Sequence, residues 1–392
     1  MRWTSALSER PGLLDAAHEA ADAIDAGLNG ASADLLMVFA THQHAGRLDA
    51  LARMLSARYA GAVVLGCTAS GVIGGGLERE EGPALSLTAA NLPDVAIHPF
   101  YVGGVALPEA AEEPEPWRAF LGAEPGHDPA LLLLADPFTA DVEKLLSSLD
   151  IALPGAPKVG GLASGGRLPG MNRLIFGERL HAMGAVGLSL HGDLTVDPLV
   201  SQGCRPIGPV VQVDRCHRNV VFTASAQSGF SLIEQVFRSL SPYDRELFRA
   251  APLVGIAPGD AASPEVLIRN LVGFDRGRGS FALSAPVEVG QTLQLHLRDG
   301  QSADRELRRM LQSQLRAAGG AAPAGALLFS CAGRGEGLFG VNGHDSRVFA
   351  EMTGGAPVGG FFCGGEIGPV QQRSFLHGFT SAFALFRGRG WS

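Results

Sequence analysis

Residues 131–166, LLLLADPFTADVEKLLSSLDIALPGAPKVGGLASGG, contain the pattern that decides the fold of this 392-residue chain. The apolar run LLLLAD precedes a stretch whose apolar residues recur at helical spacing: Val142, Leu145, Leu146 and Leu149. A second short apolar run, PKVGG, then leads into glycines. Continuous apolar runs of this length are typical of strands covered on both faces, as in parallel sheets. The stretch therefore predicts a strand, a helix, a second strand and a glycine loop.

The same pattern occurs twice more, over residues 35–76 and 326–369. After each glycine loop comes a further apolar strand candidate, at 84–90, 184–190 and 377–386. The sequence therefore predicts an α/β fold of mixed α+β character, in which repeated β-α-β-loop-β units form mixed sheets in two halves.

The segment between the second and third units has a different character. Alternating apolar runs at 253–298 predict an antiparallel meander, and the amphipathic stretch 302–320 predicts a long helix. We expect a linker near 213–228, after the turn-like sequence GCRPIGP. The acidic, Pro-rich stretch 111–117 is expected to be a surface connection.

Composition limits the partners. There are 31 Lys+Arg against 39 Asp+Glu, a net charge of −8, which disfavours a nucleic-acid binder. The N-terminus lacks the apolar core of a signal peptide, and no run of about 18 apolar residues predicts a membrane span. Five cysteines, none in a CxxC pair, favour reduced thiols in the cytoplasm over disulfides or zinc.

The three glycine loops are the predicted ligand site. Open α/β sheets bind ligands at the carboxyl ends of their strands, where these loops belong. The loops contain neither a P-loop nor a GxGxxG motif opening a helix, so no nucleotide, cofactor or metal is predicted. The residues chosen from them are Cys67, Thr68, Ser70, Gly160, Gly161, Ser164, Cys363, Gly364 and Gly365. The alternative is that the glycines only make tight strand exits.

Arg334 lies between two glycines after the strand ALLFSC, and its guanidinium can bind a carboxylate or phosphate through two hydrogen bonds. Glu366 is its expected counter-charge or its companion in recognising a zwitterion. An Arg334–Glu366 ion pair that only closes the domain remains an alternative. Arg205 and His377 are further candidates for ligand binding.

Cys67 and Cys363 are expected at corresponding places in the first and third loops, with Ser164 close to that place in the second. A thiol among glycines is either exposed, with a lowered pKa, or a small buried residue. His42 and His44 lack a third ligand at metal-binding spacing, so they give only a weak metal signal.

The chain resembles the FIST family (F-box and intracellular signal transduction). RGEGLFG, GEIGP and LHGFTSAFALF resemble its C-terminal half, and GCTASGVIGG, KVGGLASGG, GAVGLSLHGDL and SQGCRPIGP its N-terminal half. The resemblance implies an N-terminal helical extension at 1–33, a FIST N domain at 34–222, a FIST C domain at 223–386 and a tail at 387–392. It also implies a bacterial sensory module for small ligands such as amino acids; the family gives no catalytic residues to carry over.

Three functions follow as hypotheses. The first is a stand-alone cytoplasmic sensor of a small polar metabolite, an amino acid or organic acid, whose output passes through a signalling partner. The second is an interaction scaffold that uses an exposed patch at 337–341 and Phe361–Phe362. The third is an enzyme with Cys363 or Cys67 as nucleophile, although no catalytic signature is present. The sequence leaves the oligomeric state open.

Overall fold

The structure is a computed structural model that describes residues 1–103, 114–123, 128–258 and 266–389. Residues 111–113 of the expected surface connection and 390–392 of the expected tail lie outside it. The strands, in chain order, are β1 Arg2–Ser8, β2 Leu35–Thr41, β3 Val63–Ala69, β4 Val72–Gly74, β5 Leu77–Arg79, β6 Leu85–Asn91, β7 Val95–Val102, β8 Ala130–Ala135, β9 Lys158–Leu162, β10 Leu174–Phe176, β11 Arg179–His181, β12 Ala185–Gly192, β13 Thr195–Ser201, β14 Cys204–His217, β15 Val220–Ala224, β16 Gln227–Ser228, β17 Leu253–Ile256, β18 Leu267–Asp275, β19 Ser280–Leu283, β20 Thr292–Arg298, β21 Gly325–Cys331, β22 Val358–Cys363, β23 Glu366–Val370, β24 Arg373–His377 and β25 Ser381–Arg387.

The helices are α1 Leu13–Leu28, α2 Leu48–Arg58, α3 Pro114–Phe120, α4 Val142–Ala152, α5 Gly229–Ser239, α6 Pro242–Ala250, α7 Gly300–Ala317, α8 Glu336–Phe339 and α9 His344–Thr353. A 3-10 turn spans His42–Arg47. The chain forms two compact units. The first contains Met1–Ser201, Leu307–Leu376 and the residues from Thr380 onward; the second contains Gln202–Glu306 and His377–Phe379.

The predicted repeats are confirmed in the first unit. In each, the two strands that flank the helix pair in parallel: β2 with β3, β8 with β9 and β21 with β22. The strand that follows the glycine loop returns antiparallel beside the first: β6 on β2, β12 on β8 and β25 on β21. The α/β fold with mixed sheets is therefore confirmed.

One glycine lies at the same register position in each repeat. Each pairs with a first-strand residue on one side: Gly66 with Val38, Gly160 with Leu133 and Gly360 with Leu328. On the other side each pairs with an isoleucine: Ile175, Ile367 and Ile73 in the same order. A Cβ atom at any of these glycines would collide with the carbonyl oxygen of its first-strand partner. The repeats therefore share strand spacing as well as element order.

The repeats exchange their hairpins. The hairpin β4–β5 of the first repeat extends the sheet of the third, β10–β11 of the second extends that of the first, and β23–β24 of the third extends that of the second. Each resulting sheet has six strands, and β1, β7 and β13 form the other edges. Because each repeat completes the sheet of another, the three fold as one body.

Three sheets share one core. Alternate residues of the first strands, such as Phe39, Leu132 and Phe329, belong to a single buried cluster. The rings of Phe39 and Phe361 stack with centroids 4.7 Å apart. The opposite faces are covered by helices: α1 and α2 on the first sheet, α4 on the second, and α7 and α9 on the third. The first strands are buried on both faces, as their continuous apolar runs predicted.

The second unit is an antiparallel barrel. Its strand order is β14-β20-β17-β18-β19-β15-β16, and β14 also pairs with β15, which closes the sheet. The expected linker at 213–228 is therefore wrong, because these residues form the end of β14, β15 and β16. The antiparallel character of 253–298 is confirmed, but β20 pairs with β17 rather than β19, so the run is not a simple meander.

The N-terminal segment differs from a purely helical extension, because β1 precedes α1 and pairs with β6. The long helix predicted at 302–320 is present as α7, with Leu307 and Leu311 buried. The compact units do not coincide with the domains expected from the sequence, whose boundaries stay predictions. Among the described residues no helix is both long and apolar enough to span a membrane.

Candidate functional site

The glycine loops of the three repeats meet at the carboxyl ends of β3, β9 and β22. We call residues 70–71, 163–166 and 364–365 the loop junction. The Ser70 N–H donates to Ser164 Oγ at 2.8 Å, and the Ser70 hydroxyl donates to the carbonyl of Phe362 at 3.2 Å. The Ser164 hydroxyl donates to the same carbonyl. One hydrogen-bonded network therefore joins all three repeats at this end.

Main-chain hydrogen bonds complete the loop junction. The Ser164 N–H donates to Thr68 O at 3.1 Å, and the Leu162 N–H donates to Gly365 O at 2.8 Å. Thr68 is buried, and its hydroxyl accepts the Arg173 N–H at 3.0 Å. Thr68 and Gly365 therefore hold the loops together from within.

The strand register makes Ser70, Ser164 and Gly364 equivalent, since each lies four residues after its repeat's shared glycine. Gly165 and Gly364 are exposed and Ser70 is half-buried, so the network opens to solvent. The His42 side chain lies beside Gly165, where an added Cβ would press against it. The junction thus presents the half-buried Ser70 hydroxyl, an imidazole and the exposed glycines Gly165 and Gly364, while the Ser164 hydroxyl is buried within the network.

The second repeat breaks the symmetry with a longer loop. Two residues separate strand from hairpin in the first and third repeats, whereas 163–173 intervene in the second. Asn172 anchors this loop: its amide donates to the buried Asp136 at 3.1 Å and its carbonyl accepts the Gly166 N–H at 3.0 Å. Leu168 and Met171 on it are 63% and 37% exposed.

Gly160 and Gly161 serve packing. Both are buried in β9, and a Cβ at Gly161 would collide with Cys363 Sγ. These two glycines therefore allow close packing inside β9 rather than a tight exit at its end.

Cys67 and Cys363 are both fully buried, and burial raises the pKa of each thiol. Their expected correspondence is wrong, because the register places Cys363 with Ala69 rather than with Cys67. The interpretation as small buried residues fits both. A neutral, enclosed thiol is a poor nucleophile.

Arg334 is completely buried and is held by Asp345. Its Nε and Nη2 donate to the two carboxylate oxygens at 2.8 and 3.2 Å. Asp345 also accepts the hydroxyl of Ser381 at 2.9 Å and contacts His344 Nδ1 at 3.0 Å. Burial opposes its ionisation, but Arg334 and His344 more than offset this and lower the pKa of Asp345. Asp345, whose carboxylate binds Arg334 through two hydrogen bonds, is thus a residue that the sequence analysis missed.

Glu366 is buried close to the start of β25, the end of that strand at which Ser381 contacts Asp345. It accepts the main-chain N–H of Thr380 at 3.1 Å and its hydroxyl at 2.8 Å, while the adjacent Ser381 binds Asp345. Its register partner is Gly161, and the equivalent positions in the other hairpins are Val72 and Leu174. A carboxylate therefore stands where the other repeats have an apolar residue.

Glu78 is a second missed carboxyl, brought in by the exchanged hairpin β4–β5. Its Oε1 accepts the N–H and the hydroxyl of Ser346, both at 2.7 Å. Burial and the charge of Asp345 raise the pKa of Glu78 to about 7. Asp345 could have been suspected from its place in the first turn of α9, but only the tertiary fold brings in Glu78, 268 residues away from Ser346.

Arg205 and His377 belong to the second unit. Arg205 Nε donates to Asp299 at 2.8 Å, and its Nη2 also pairs with Asp244. His377 is buried at the end of β24. Arg205 is thus already neutralised by two carboxylates.

The remaining expectations concern an exposed apolar patch and a metal site. Phe361 and Phe362 are buried, so the exposed patch expected there is wrong, although Val341 is 45% exposed. His44 is buried, which lowers its pKa. Among the described residues no group of three His, Cys, Asp or Glu side chains is arranged to hold a metal ion.

Comparison with known proteins identifies two matching domain profiles: FIST N domain over residues 34–223 and FIST C domain over residues 231–369. An uncharacterised protein of Mycobacterium tuberculosis is 33% identical over 393 residues, covering 98% of this chain and 100% of the relative. An uncharacterised protein of Mycobacterium bovis is 35% identical over 394 residues, covering 98% and 99%.

Among solved structures, the crystal structure of a cyanuric acid hydrolase from A. caulinodans aligns over 100% of this chain and 99% of that one, with 9% identity and a TM-score of 0.38. This likeness is too distant to bear on fold or function.

Proposed function

The chain belongs to the FIST family, whose domains are sensory, ligand-binding modules of signalling proteins, and we propose that it senses a small polar metabolite at the loop junction. The ligand class is an amino acid or an organic acid. The proposed contacts are the hydroxyl of Ser70, the imidazole of His42 and the exposed main chain at Gly165 and Gly364, with the buried Ser164 hydroxyl holding the loops in place.

The observation that carries this proposal is the meeting of three strand-end loops in one network that is open to solvent. Ligands of α/β sheets bind at the carboxyl ends of strands, because loops there present main-chain and short polar groups in one place. Hydroxyl and imidazole groups suit a carboxylate or an amino group of a small metabolite. In this proposal Arg334 and Glu366 do not contact the ligand, since both are buried and hydrogen-bonded to protein.

The proposed output passes through a protein partner. The loop 163–173 contains the junction residue Ser164 together with the exposed side chains of Leu168 and Met171. A ligand that favours one loop arrangement shifts the population that a partner reads. We propose that the chain meets its partner in the cytoplasm, because its cysteines are odd in number and none lies in a CxxC pair.

Thermal unfolding against the amino acids and small di- and tricarboxylic acids tests the proposal. A ligand at about 100 times its Kd adds ~2.7 kcal/mol to the free energy of unfolding, which raises Tm by a few degrees. We expect one chemical class to give this shift.

Gly364→Val is the blocking variant. Gly364 is exposed, and an added Cβ meets its nearest atom, Ala163 O, at an ordinary 3.5 Å, so valine obstructs the junction without strain. The matched control is Gly337→Val on α8, an exposed position where an added Cβ meets nothing within 4 Å. A Tm shift that survives Gly364→Val, or the absence of any shift, contradicts the proposal.

Alkylation of the cysteines distinguishes a sensor from a cysteine-dependent enzyme. We expect Cys67 and Cys363 to resist iodoacetamide at neutral pH while the protein is folded, because both thiols are enclosed and protonated. Peptide mapping after a timed reaction gives the modified fraction of each cysteine. Rapid modification of either would restore a nucleophilic role.

A further inference from the structure

The barrel of the second unit has a groove of about 470 Å³ on its outer surface. The turn between β14 and β15 and the hairpin β18–β19 form its walls. This volume lies within the range of small-molecule sites, roughly 300–1,000 Å³. We call it the aromatic groove; it is built entirely from residues 217–282 and shares none with the loop junction.

Phenylalanines give the groove its apolar surface. Phe281 is buried, whereas Phe274 is 64% exposed. Phe222 also lines the groove, and Arg215 lies over its ring at 4.9 Å from the centroid. Large aromatic side chains that stay exposed in a grouped arrangement mark binding surfaces more often than single exposed apolar residues do.

The charged groups that line the groove are the guanidiniums of Arg218 and Arg278, the carboxylate of Asp275 and, when protonated, the imidazole of His217. Asp275 is engaged by Arg278, whose N–H donates to it at 3.0 Å and whose Nε lies 3.7 Å away. The lining thus carries at least one net positive charge, although the chain as a whole carries −8. Residues 202–306 contain 11 Arg, no Lys and 11 Asp+Glu, so this unit does not share the general acidity.

Arginine is suited to such a site in two ways. Its planar guanidinium binds a carboxylate through paired hydrogen bonds and also stacks on aromatic rings. Beside the groove Arg276 lies over Phe230 at 5.2 Å, and the rings of Phe230 and Phe274 are 5.7 Å apart. Rings and guanidiniums thus alternate along this surface. A ligand with a flat ring and an anionic group can therefore stack on the rings and pair with the guanidiniums.

We propose that the aromatic groove binds a small organic anion in which an aromatic ring carries a carboxylate. The ring packs against Phe222 and Phe274, and the carboxylate pairs with Arg218 and Arg278. This second site is independent of the metabolite site at the loop junction.

Calorimetric titration of the full chain with naphthalene-2-carboxylate tests the proposal. Naphthalene-2-carboxamide keeps the ring without the charge, and acetate keeps the charge without the ring. We expect saturable binding of the naphthoate, at least tenfold weaker binding of the amide, and no measurable binding of acetate at the same concentrations.

Variants localise the binding. Gly273 lines the groove and has open space at its Cβ position, so Gly273→Phe fills the groove and is expected to abolish binding. Arg218→Gln and Arg278→Gln should each raise Kd at least fivefold. Asp275→Asn should lower Kd, because the amide oxygen still accepts the Arg278 N–H while the negative charge is gone.

Two controls complete the design. Arg238→Gln removes a charge from an exposed i,i+4 pair with Glu234 on α5 and should leave Kd unchanged. Gly364→Val should also leave it unchanged, which separates this site from the loop junction. Absence of naphthoate binding, binding that persists in both Gly273→Phe and the Arg218→Gln/Arg278→Gln double variant, or equal affinity for the amide would each overturn the proposal.

Discussion

Replacing Glu78 by glutamine should remove a pH dependence from the stability of the first unit. Glu78 is 3% exposed, and its Oε1 accepts two hydrogen bonds from Ser346 at 2.7 Å. Glutamine keeps that acceptor and the side-chain shape but cannot ionise. Glu78→Gln therefore imitates the protonated carboxyl at every pH.

The magnitude follows from the pKa of Glu78, which burial and the charge of Asp345 raise from 4.5 to about 7. The native state then holds the proton more tightly than the unfolded state. The stabilisation is complete below pH 4.5 and is lost as the pH rises through 7. At 1.36 kcal/mol per pKa unit, the loss is about 3 kcal/mol.

Asp345 does not obscure this window. Its pKa is lowered from 3.8, so its contribution is present above that value and is lost only as the pH falls further. Between pH 4.5 and 8 Asp345 stays ionised, and the difference between wild type and variant reports Glu78.

Urea unfolding followed by circular dichroism at half-unit steps from pH 4.5 to 8 measures this difference. We expect equal free energies of unfolding near pH 4.5 and an advantage of about 3 kcal/mol for Glu78→Gln at pH 8. Glu178→Gln, at the exposed turn between β10 and β11, is the control and should follow wild type throughout. Parallel curves for wild type and Glu78→Gln would refute the reasoning.

Two further substitutions test the packing and the buried ion pair by the same unfolding assay. Gly160→Ala should lower the free energy of unfolding by about 1–3 kcal/mol, because the added Cβ would collide with main chain of the paired strand. Gly46→Ala, where the Cβ position is open, should change the free energy of unfolding little. Equal effects of the two substitutions would contradict this reasoning. Arg334→Met should lower the free energy of unfolding by about 3–5 kcal/mol, because it leaves Asp345 buried without its guanidinium partner. Arg347→Met, at an exposed position, should change the free energy of unfolding little. An Arg334→Met protein as stable as wild type would show that Asp345 does not need the guanidinium.

The part of the fold that local periodicity encodes is predictable from the sequence. Three βαβ units follow from apolar runs buried on both faces and from helices with one apolar stripe, and the family resemblance was confirmed. The loops at the carboxyl ends of the strands are the predicted site because neighbouring parallel strands end at the same edge of a sheet. Ser70 and Ser164, chosen on that ground, do share a hydrogen bond.

What escaped prediction depends on contacts far apart in sequence. GCRPIGP looked like a turn before a linker, but β14 accommodates it with a register shift between Ile207 and Val211 and continues into the barrel. Cyclic exchange of hairpins leaves no local signal, since each hairpin has the same pattern whichever sheet it joins. Asp345, which binds Arg334, lies in the helix between Arg334 and Glu366, so the glycine-loop pattern gives no indication of it.

The departures from repetition are more informative about function than the repetition itself. The shared glycines Gly66, Gly160 and Gly360 are explained by strand spacing alone, so they argue for the fold. Glu366 replaces an apolar residue of the other two hairpins, and the loop 163–173 replaces a two-residue connection. Neither change is needed to build a third identical repeat, and a buried carboxylate costs solvation energy that an apolar residue would not. Both changes lie at the end where the three loops meet, so in the proposed function this asymmetry is what distinguishes one place on a threefold scaffold as the ligand site.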